Sequence, residues 1–210
     1  MDDRSIISYL EIKLNFSKDS IKKIKIYLNE LLKVNKSYNL IGKSTETQIW
    51  HRHVLDSAQV VNLIQFSDNK SLSDLGSGAG FPGLILAIYN RNPKFHVKLY
   101  EKSPIKCNFL RNMINNLKIN AKVYEGDFTN YNHGSDYFTA RAFKKMDIIL
   151  QISREILKKP HKFIILKGKN AQEELKNSSK AKKIEYRIVN SVTDKDSKII
   201  VIDNLKKNEK

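Results

Sequence analysis

Four of the chain's eight glycines fall inside one stretch, DLGSGAGFPG (74–83), at Gly76, Gly78, Gly80 and Gly83. In a 210-residue chain so poor in glycine, that clustering demands a particular turn. SLSDL (71–75) before it reads as a short strand, and LILAIYN (84–90) after it begins a helix. A glycine-rich turn from strand to helix lets a ligand touch backbone. In an open α/β sheet such a turn lies at the crevice beyond the strands' carboxyl ends, where ligands bind.

GAGFPG (78–83) formally matches the dinucleotide pattern G-x-G-x-x-G, but the match begins after Ser77, inside the turn. Starting instead from Gly76 and Gly78 puts Phe81 at the third glycine position, with Asp74 two residues before the first. Acid-x-Gly-x-Gly-x-Gly is the pattern that binds S-adenosylmethionine (SAM). A pyrophosphate wants bare backbone N–H groups and a helix N-terminus, whereas the ammonium and sulfonium of SAM tolerate a carboxylate nearby. GxxxxGK[ST] is absent, which excludes a P-loop. Glu101 ends the next strand, HVKLYE (96–101), where a carboxylate can accept both ribose hydroxyls of an adenosine. NAD and SAM share that feature, so Glu101 supports a nucleoside cofactor without choosing one.

From residue 71 strand and helix alternate. IKCNFLRNMINNL (105–117) is helical, AKVYEGD (121–127) and DYFTARAF (136–143) are strands, and MDIILQISREIL (146–157) is a helix. KFIILKG (162–168) is a fifth strand, followed by helical AQEELKNSSKAKK. IEYRIVNSV (184–192) and KIIVIDN (198–204) flank a polar DKDS turn as an antiparallel pair. The expected fold is α/β and Rossmann-like: a mostly parallel seven-stranded sheet with a C-terminal antiparallel strand pair. Methyltransferase folds have this arrangement, an analogy that carries no function by itself. The first 68 residues read differently, as a helical extension packed on a core spanning 69–210. Ile21, Ile24, Leu28, Leu31 and Leu32 recur at helical spacing, with Ser17 or Ser20 as cap. Residues 46–65 give a second amphipathic helix, capped by Ser44 or Thr45.

Composition narrows the partners. The formal net charge is +16, and 31 of the 38 basic residues are lysine. A polyanion, nucleic acid before membrane, is the natural partner, although an AT-rich genome imposes the same lysine excess. No run approaches the ~18 consecutive apolar residues of a membrane helix. MDDRSIISYLEIKL makes a poor signal peptide, and Cys107 is the only cysteine. These features describe a soluble cytoplasmic chain, with a monomer expected.

Several segments together resemble the glucose-inhibited division protein B family, the ribosomal RNA small subunit methyltransferase G enzymes. They are NKSYNL (35–40), RHVLDS (52–57), DLGSGAGFPG (74–83), FLRNM (109–113), ARAF (140–143) and LKG (166–168), in the family's order and spacing. The resemblance implies a class I SAM-dependent methyltransferase acting on N7 of a guanine in 16S rRNA, with rRNA or the small ribosomal subunit as partner. By position it implies SAM contacts at Gly76, Phe81, Phe128, Thr129 and Arg141, beside Gly78 and Glu101. The chain departs from the family at Phe128–Thr129, where an Ala-Glu-type pair is common, at Glu101, where Asp is frequent, and at Ile105, where a basic residue is usual beside the retained Lys106.

Guanine N7 carries a lone pair and no proton, so its methylation needs alignment rather than a general base. Arg141, at the end of the fourth strand, is the expected positioning residue. It would hold the SAM carboxylate or hydrogen-bond an acceptor such as guanine O6. Lys167 has a similar place, but a cation beside a developing cationic base is awkward, and an RNA phosphate suits it better. His51, His53 and Asp56 lack a further metal ligand nearby, and no metal is expected; their expected work is to dock their helix on the core or close the site. Phe81 and Phe143 are candidates either to stack on a base or to pack in the core. Lys22, Lys23, Lys25, Lys33, Lys36 and Lys43 give the N-terminal helices a basic face, an rRNA surface or a solubilising one. Two other readings stay open: an NAD(P) oxidoreductase, which lacks an evident hydride-transfer acid, and a non-catalytic RNA-binding module.

Overall fold

The computed structural model describes residues 1–142, 144–157, 159–178, 181 and 184–204. Its strands are β1 (Ser71–Leu75), β2 (His96–Glu101), β3 (Ala121–Glu125), β4 (Tyr137–Arg141), β5 (His161–Lys167), β6 (Tyr186–Asn190) and β7 (Lys198–Asn204). They form one sheet in the order β3-β2-β1-β4-β5-β7-β6. The pairings from β3 through β5 are parallel, and β7 runs antiparallel to both β5 and β6. The expected Rossmann-like sheet with its antiparallel pair is present.

The inner strands β1, β4 and β5 are buried on both faces, because crossover connections cover a parallel sheet on both sides, whereas the edge strands β3 and β6 are not. Leu72, Val97, Leu99, Ile164, Leu166 and Val201 face a core shared with α1 (Asp3–Ile12) and α2 (Lys18–Asn35). Between α2 and β1 comes the short α3 (Asp56–Ala58), and α4 (Gly83–Tyr89) and α5 (Pro104–Leu117) complete that layer. Leu75, Tyr100, Phe138, Phe163, Ile165, Ile200 and Ile202 face the other core, under α6 (Met146–Gln151) and α7 (Ala171–Asn177). The crossover from β3 to β4 carries only a 3₁₀ turn, Phe128–Asn130.

Ser17 caps α2, its hydroxyl accepting from Ser20 N–H at 3.0 Å. Two buried bonds then bolt α2 to the glycine-loop region: Tyr27 O–H donates to the Ala79 carbonyl (2.9 Å), and Ser20 O–H to the Ile88 carbonyl (3.0 Å). Each satisfies a backbone acceptor that burial would otherwise leave unpaired.

The second expected helix is a correction. Residues 46–65 are not one α-helix but a 3₁₀ segment Lys43–Gln48, a π-helical segment Trp50–Leu55, the turn α3 and a 3₁₀ turn Val61–Leu63. Neither Ser44 nor Thr45 caps it; Gly42 stands at the N-cap, and Thr45 O–H donates to the Gly42 carbonyl (2.7 Å). A π turn shifts the helical ladder by one residue, and here the Arg52 carbonyl accepts instead from Arg141 across the cleft. Likewise the helix from Met146 passes into a π segment at Ile152–Ile156. The helix after β5 ends at Asn177; Ser179, Lys180, Lys182 and Lys183 of the expected AQEELKNSSKAKK helix, and Phe143, lie outside the described residues.

Candidate active site

A cleft of about 700 Å³ opens at the carboxyl ends of β1, β4 and β5. Gly76, Gly78 and Phe81 line one side, Arg141 and Lys167 the floor, and Ser191, Thr193 and Asp194 of the β6–β7 turn the far side.

The glycine loop is held by its own N–H groups. Gly76 and Ser77 donate to the Tyr100 carbonyl (2.9 Å each), and Gly80 and Phe81 to the Ser77 carbonyl (2.7 and 3.1 Å). Gly78, at φ 58°, donates to Glu101 Oε2 (2.8 Å). A pyrophosphate cradle needs such N–H groups bare, so this loop suits a ligand that touches backbone by shape rather than through an anion. Gly83 is fixed by close approach: a Cβ there would fall 2.5 Å from Leu99 Cδ2 and 2.6 Å from Asp74 Cβ.

Asp74, expected near a cationic ligand, is fully buried. Its Oδ1 accepts from Thr139 O–H (2.7 Å) and its Oδ2 from Gly83 N–H (3.1 Å), tying β1 to β4 and to the start of α4. Burial pushes its pKa up to about 6, against the pull of the Thr139 bond. The acid of the motif is therefore a structural tie. Glu101 already accepts three backbone N–H groups, from Gly78, Lys102 and Ser103. A carboxylate offers about four acceptor positions, which leaves room for one ribose hydroxyl, not the two expected. Phe128 and Thr129 lie beyond β3, in a turn capped by Asp127, which accepts from Thr129 N–H (3.0 Å). The Phe128 ring is buried, and neither residue, nor Glu101, lines the cleft.

Arg141 is the centre of a cluster. Its NH1 donates to the Arg52 carbonyl (3.0 Å) and lies 3.3 Å from Asp56 Oδ2; its NH2 donates to His53 Nδ1 (2.8 Å). The guanidinium carbon stands 5.1 Å from the centre of the Phe81 ring, which also stacks on His53 at 4.8 Å and packs on Tyr27 at 5.5 Å. Phe81 is thereby 4 % exposed, and packing rather than base stacking is what its ring does. Since Arg141 can only donate, His53 Nδ1 is the acceptor, and Nε2–H donates to Thr45 Oγ1 at 2.8 Å. Burial, with the charges of Arg141 and Arg52, pushes the imidazole down to about 3, so it is neutral at ordinary pH. His53 and Asp56 thus meet through Arg141, while His51 stands outside this cluster.

Lys167, expected to reach RNA phosphate, is 12 % exposed and held by Glu174 Oε2 (2.7 Å) and the Lys144 carbonyl (2.9 Å). Sequence reading missed the far wall. Gln59 grips the β6–β7 turn through Ser191 Oγ (3.1 Å) and Val192 N–H (2.9 Å), and Thr193 O–H donates to Asp56 Oδ1 (3.2 Å). No motif marks Gln59, Ser191, Val192 or Thr193, and Ser191 and Val192 fall inside the expected strand 184–192, which instead ends at Asn190.

A profile of the family rRNA small subunit methyltransferase G matches residues 20–202. The ribosomal RNA small subunit methyltransferase G of Orientia tsutsugamushi (strain Ikeda) is 32 % identical over 210 aligned positions, covering 95 % of this chain and 98 % of the relative. That of Paramagnetospirillum magneticum is 36 % identical over 190 positions, covering 87 % of each. Among solved structures, Aeropyrum pernix fibrillarin, crystallised with natively bound S-adenosyl-L-methionine, superposes with a TM-score of 0.55 at 16 % identity over 72 % of this chain and 75 % of its own. At that identity the likeness is one of fold.

Proposed function

The chain belongs to the rRNA small subunit methyltransferase G family, and from that premise we propose that its cleft holds SAM against the glycine loop and presents N7 of a guanine in 16S rRNA to it. The chain is a SAM-dependent rRNA methyltransferase. The observation that carries the reading of the site is the loop between β1 and α4. Its N–H groups are taken internally, which disfavours a pyrophosphate, and it opens on a cleft whose volume suits a nucleoside-sized ligand.

Bound SAM supplies an electrophilic methyl group on a cationic sulfur. Glu101 stands just outside the cleft lining, behind the loop it holds through Gly78, and its one remaining acceptor position is what a ribose hydroxyl reaching that edge would take. Methyl transfer breaks the S–CH3 bond, forms the N7–CH3 bond and moves the positive charge from the SAM sulfur to the guanine, so bare positive charge nearer the base than the sulfur would oppose the reaction. The two basic groups of the floor are compensated: Arg141 by Asp56 and Lys167 by Glu174. His53 is neutral, and its Nδ1 already receives an Arg141 N–H, so it does not serve as a base. N7 has no proton to give, and the cleft needs none taken. Arg141 is then a positioning residue: it clamps the Arg52–Asp56 segment over the cleft, and the reacting atoms come within about 3–3.5 Å only when that wall is in place.

Transfer of a labelled methyl group from SAM to small subunits lacking their own methylations tests the reading. Label recovered as 7-methylguanosine in 16S rRNA is expected. Binding of SAM with no label in the rRNA would overturn the substrate assignment.

A further inference from the structure

The β3–β4 crossover lacks a helix, and this leaves one corner of the sheet uncovered on the face that carries Leu75, Tyr100 and Phe138. Parallel sheets are normally covered on both faces by their crossovers, and their strands read as apolar runs. Tyr131 and His133 close the upper part of the corner over Tyr100. Below them, at the amino ends of β1, β2 and β3, a groove of about 590 Å³ is lined by Lys70, Lys94, Lys98, Lys122, His96 and Tyr124, among others.

The register makes this corner unusual. Lys98 and Lys122 are directly paired across β2 and β3, so they share a face side by side. Like charges directly opposite in a sheet destabilise it. Among the described residues neither has a carboxylate within salt-bridge distance; Lys122 lies over the Tyr124 ring at 5.5 Å, and Lys70 over Tyr137 at 5.8 Å. Lys94 alone of the four is paired, with Asp68 at 2.8 Å. A lysine on an edge strand guards against unwanted strand addition, which accounts for Lys122 on β3 but not for Lys98 on the inner strand β2.

We propose that this groove is a second docking surface for the phosphate backbone of the rRNA substrate. It rests on the reading of the chain as an rRNA methyltransferase and adds to it a contact outside the cleft. Paired, uncompensated ammonium groups beside an aromatic ring are what a polyanionic strand neutralises, with release of its counterions. Of the six residues of β2, His96, Val97 and Lys98 line the groove, so only the three residues 99–101, roughly 10 Å of strand, lie between it and the carboxyl edge of the sheet where the cleft opens. The RNA therefore wraps the β3 edge, one segment anchored at the groove while the target base enters the cleft at the strands' other end.

The test compares the wild type with Lys98→Gln/Lys122→Gln. Binding to small ribosomal subunits is measured between 50 and 200 mM salt, about the range over which phosphate contacts are lost, together with SAM affinity and thermal unfolding. The double variant is expected to bind subunits roughly tenfold more weakly at the low-salt end, with the slope of log K against log salt reduced by about 1.5. SAM affinity is expected to stay unchanged and the unfolding midpoint not to fall, since a repulsion is removed. Lys98→Arg/Lys122→Arg should bind as the wild type does. An unchanged affinity and slope in the glutamine variant would overturn the proposal, as would weakening that the arginine variant shares. Loss of binding to anionic vesicles with none to subunits would also overturn it. A wild type that binds subunits with this lysine dependence yet transfers no methyl would remove the reaction while leaving the surface.

Discussion

On one side of the cleft, backbone does the holding. Five loop N–H groups close on the Tyr100 and Ser77 carbonyls and on Glu101, and Gly83 packs where no Cβ fits. On the other side, side chains from separate parts of the chain do it: Arg141 reaches Arg52, His53 and Asp56, and Thr193 and Gln59 tie in the β6–β7 turn. The first wall is local and rigid once its strand and helix form. The second exists only when segments more than eighty residues apart have docked. A cofactor that is the same in every turnover fits the first, and a substrate base that must enter and leave fits the second.

Breaking the backbone wall gives the largest effect. Gly83→Ala places a Cβ inside the contact with Leu99 and Asp74. It is expected to destabilise the protein by about 3 kcal/mol and to abolish SAM binding, read by denaturant unfolding and by calorimetry. Tyr27→Phe is milder. It leaves the buried Ala79 carbonyl without its donor and is expected to cost about 1–2 kcal/mol, with a matching drop in the unfolding midpoint and little change in methyl transfer.

The contrast between the walls also explains what the sequence revealed. Glycines at 76, 78, 80 and 83 follow from local backbone demands, so the loop, its strand and its helix were legible, as was the antiparallel pair around DKDS. Asp74 was legible as part of a motif but not in its role, because its partner Thr139 lies on a different strand. The Arg141 cluster was legible only as separate candidates. His53 and Asp56 share a face at i and i+3, yet nothing local says that a guanidinium from β4 lies between them. The π-helical turn at Trp50–Leu55 was invisible for the same reason: the pattern 46–65 has helical apolar spacing, and the contacts that accompany the wider turn, from Arg141 to the Arg52 carbonyl and His53, are tertiary.

The effect confined to acid sharpens the side-chain wall. His53 has its pKa pushed down to about 3 from an ordinary 6.5, so the folded state resists a proton that the unfolded chain accepts. Its contribution is present above pH 6.5 and is lost as pH falls from there toward 3. Asp74, pushed up to about 6, runs the other way: the stability it withholds when ionised returns as pH falls through 6 toward 3.8. His53→Gln is therefore expected to shrink the loss of stability between pH 6.5 and 4, measured by urea unfolding across that range. An unaltered pH dependence would separate His53 from the cluster's energetics.

The division between the walls is tested most directly on Arg141→Ala, with SAM affinity and single-turnover methyl transfer to small subunits measured on the same preparation. Transfer is expected to fall about a hundredfold, while SAM affinity stays within about threefold of the wild type. A loss of SAM affinity as large as the loss of rate would place the guanidinium on the cofactor itself and contradict the account.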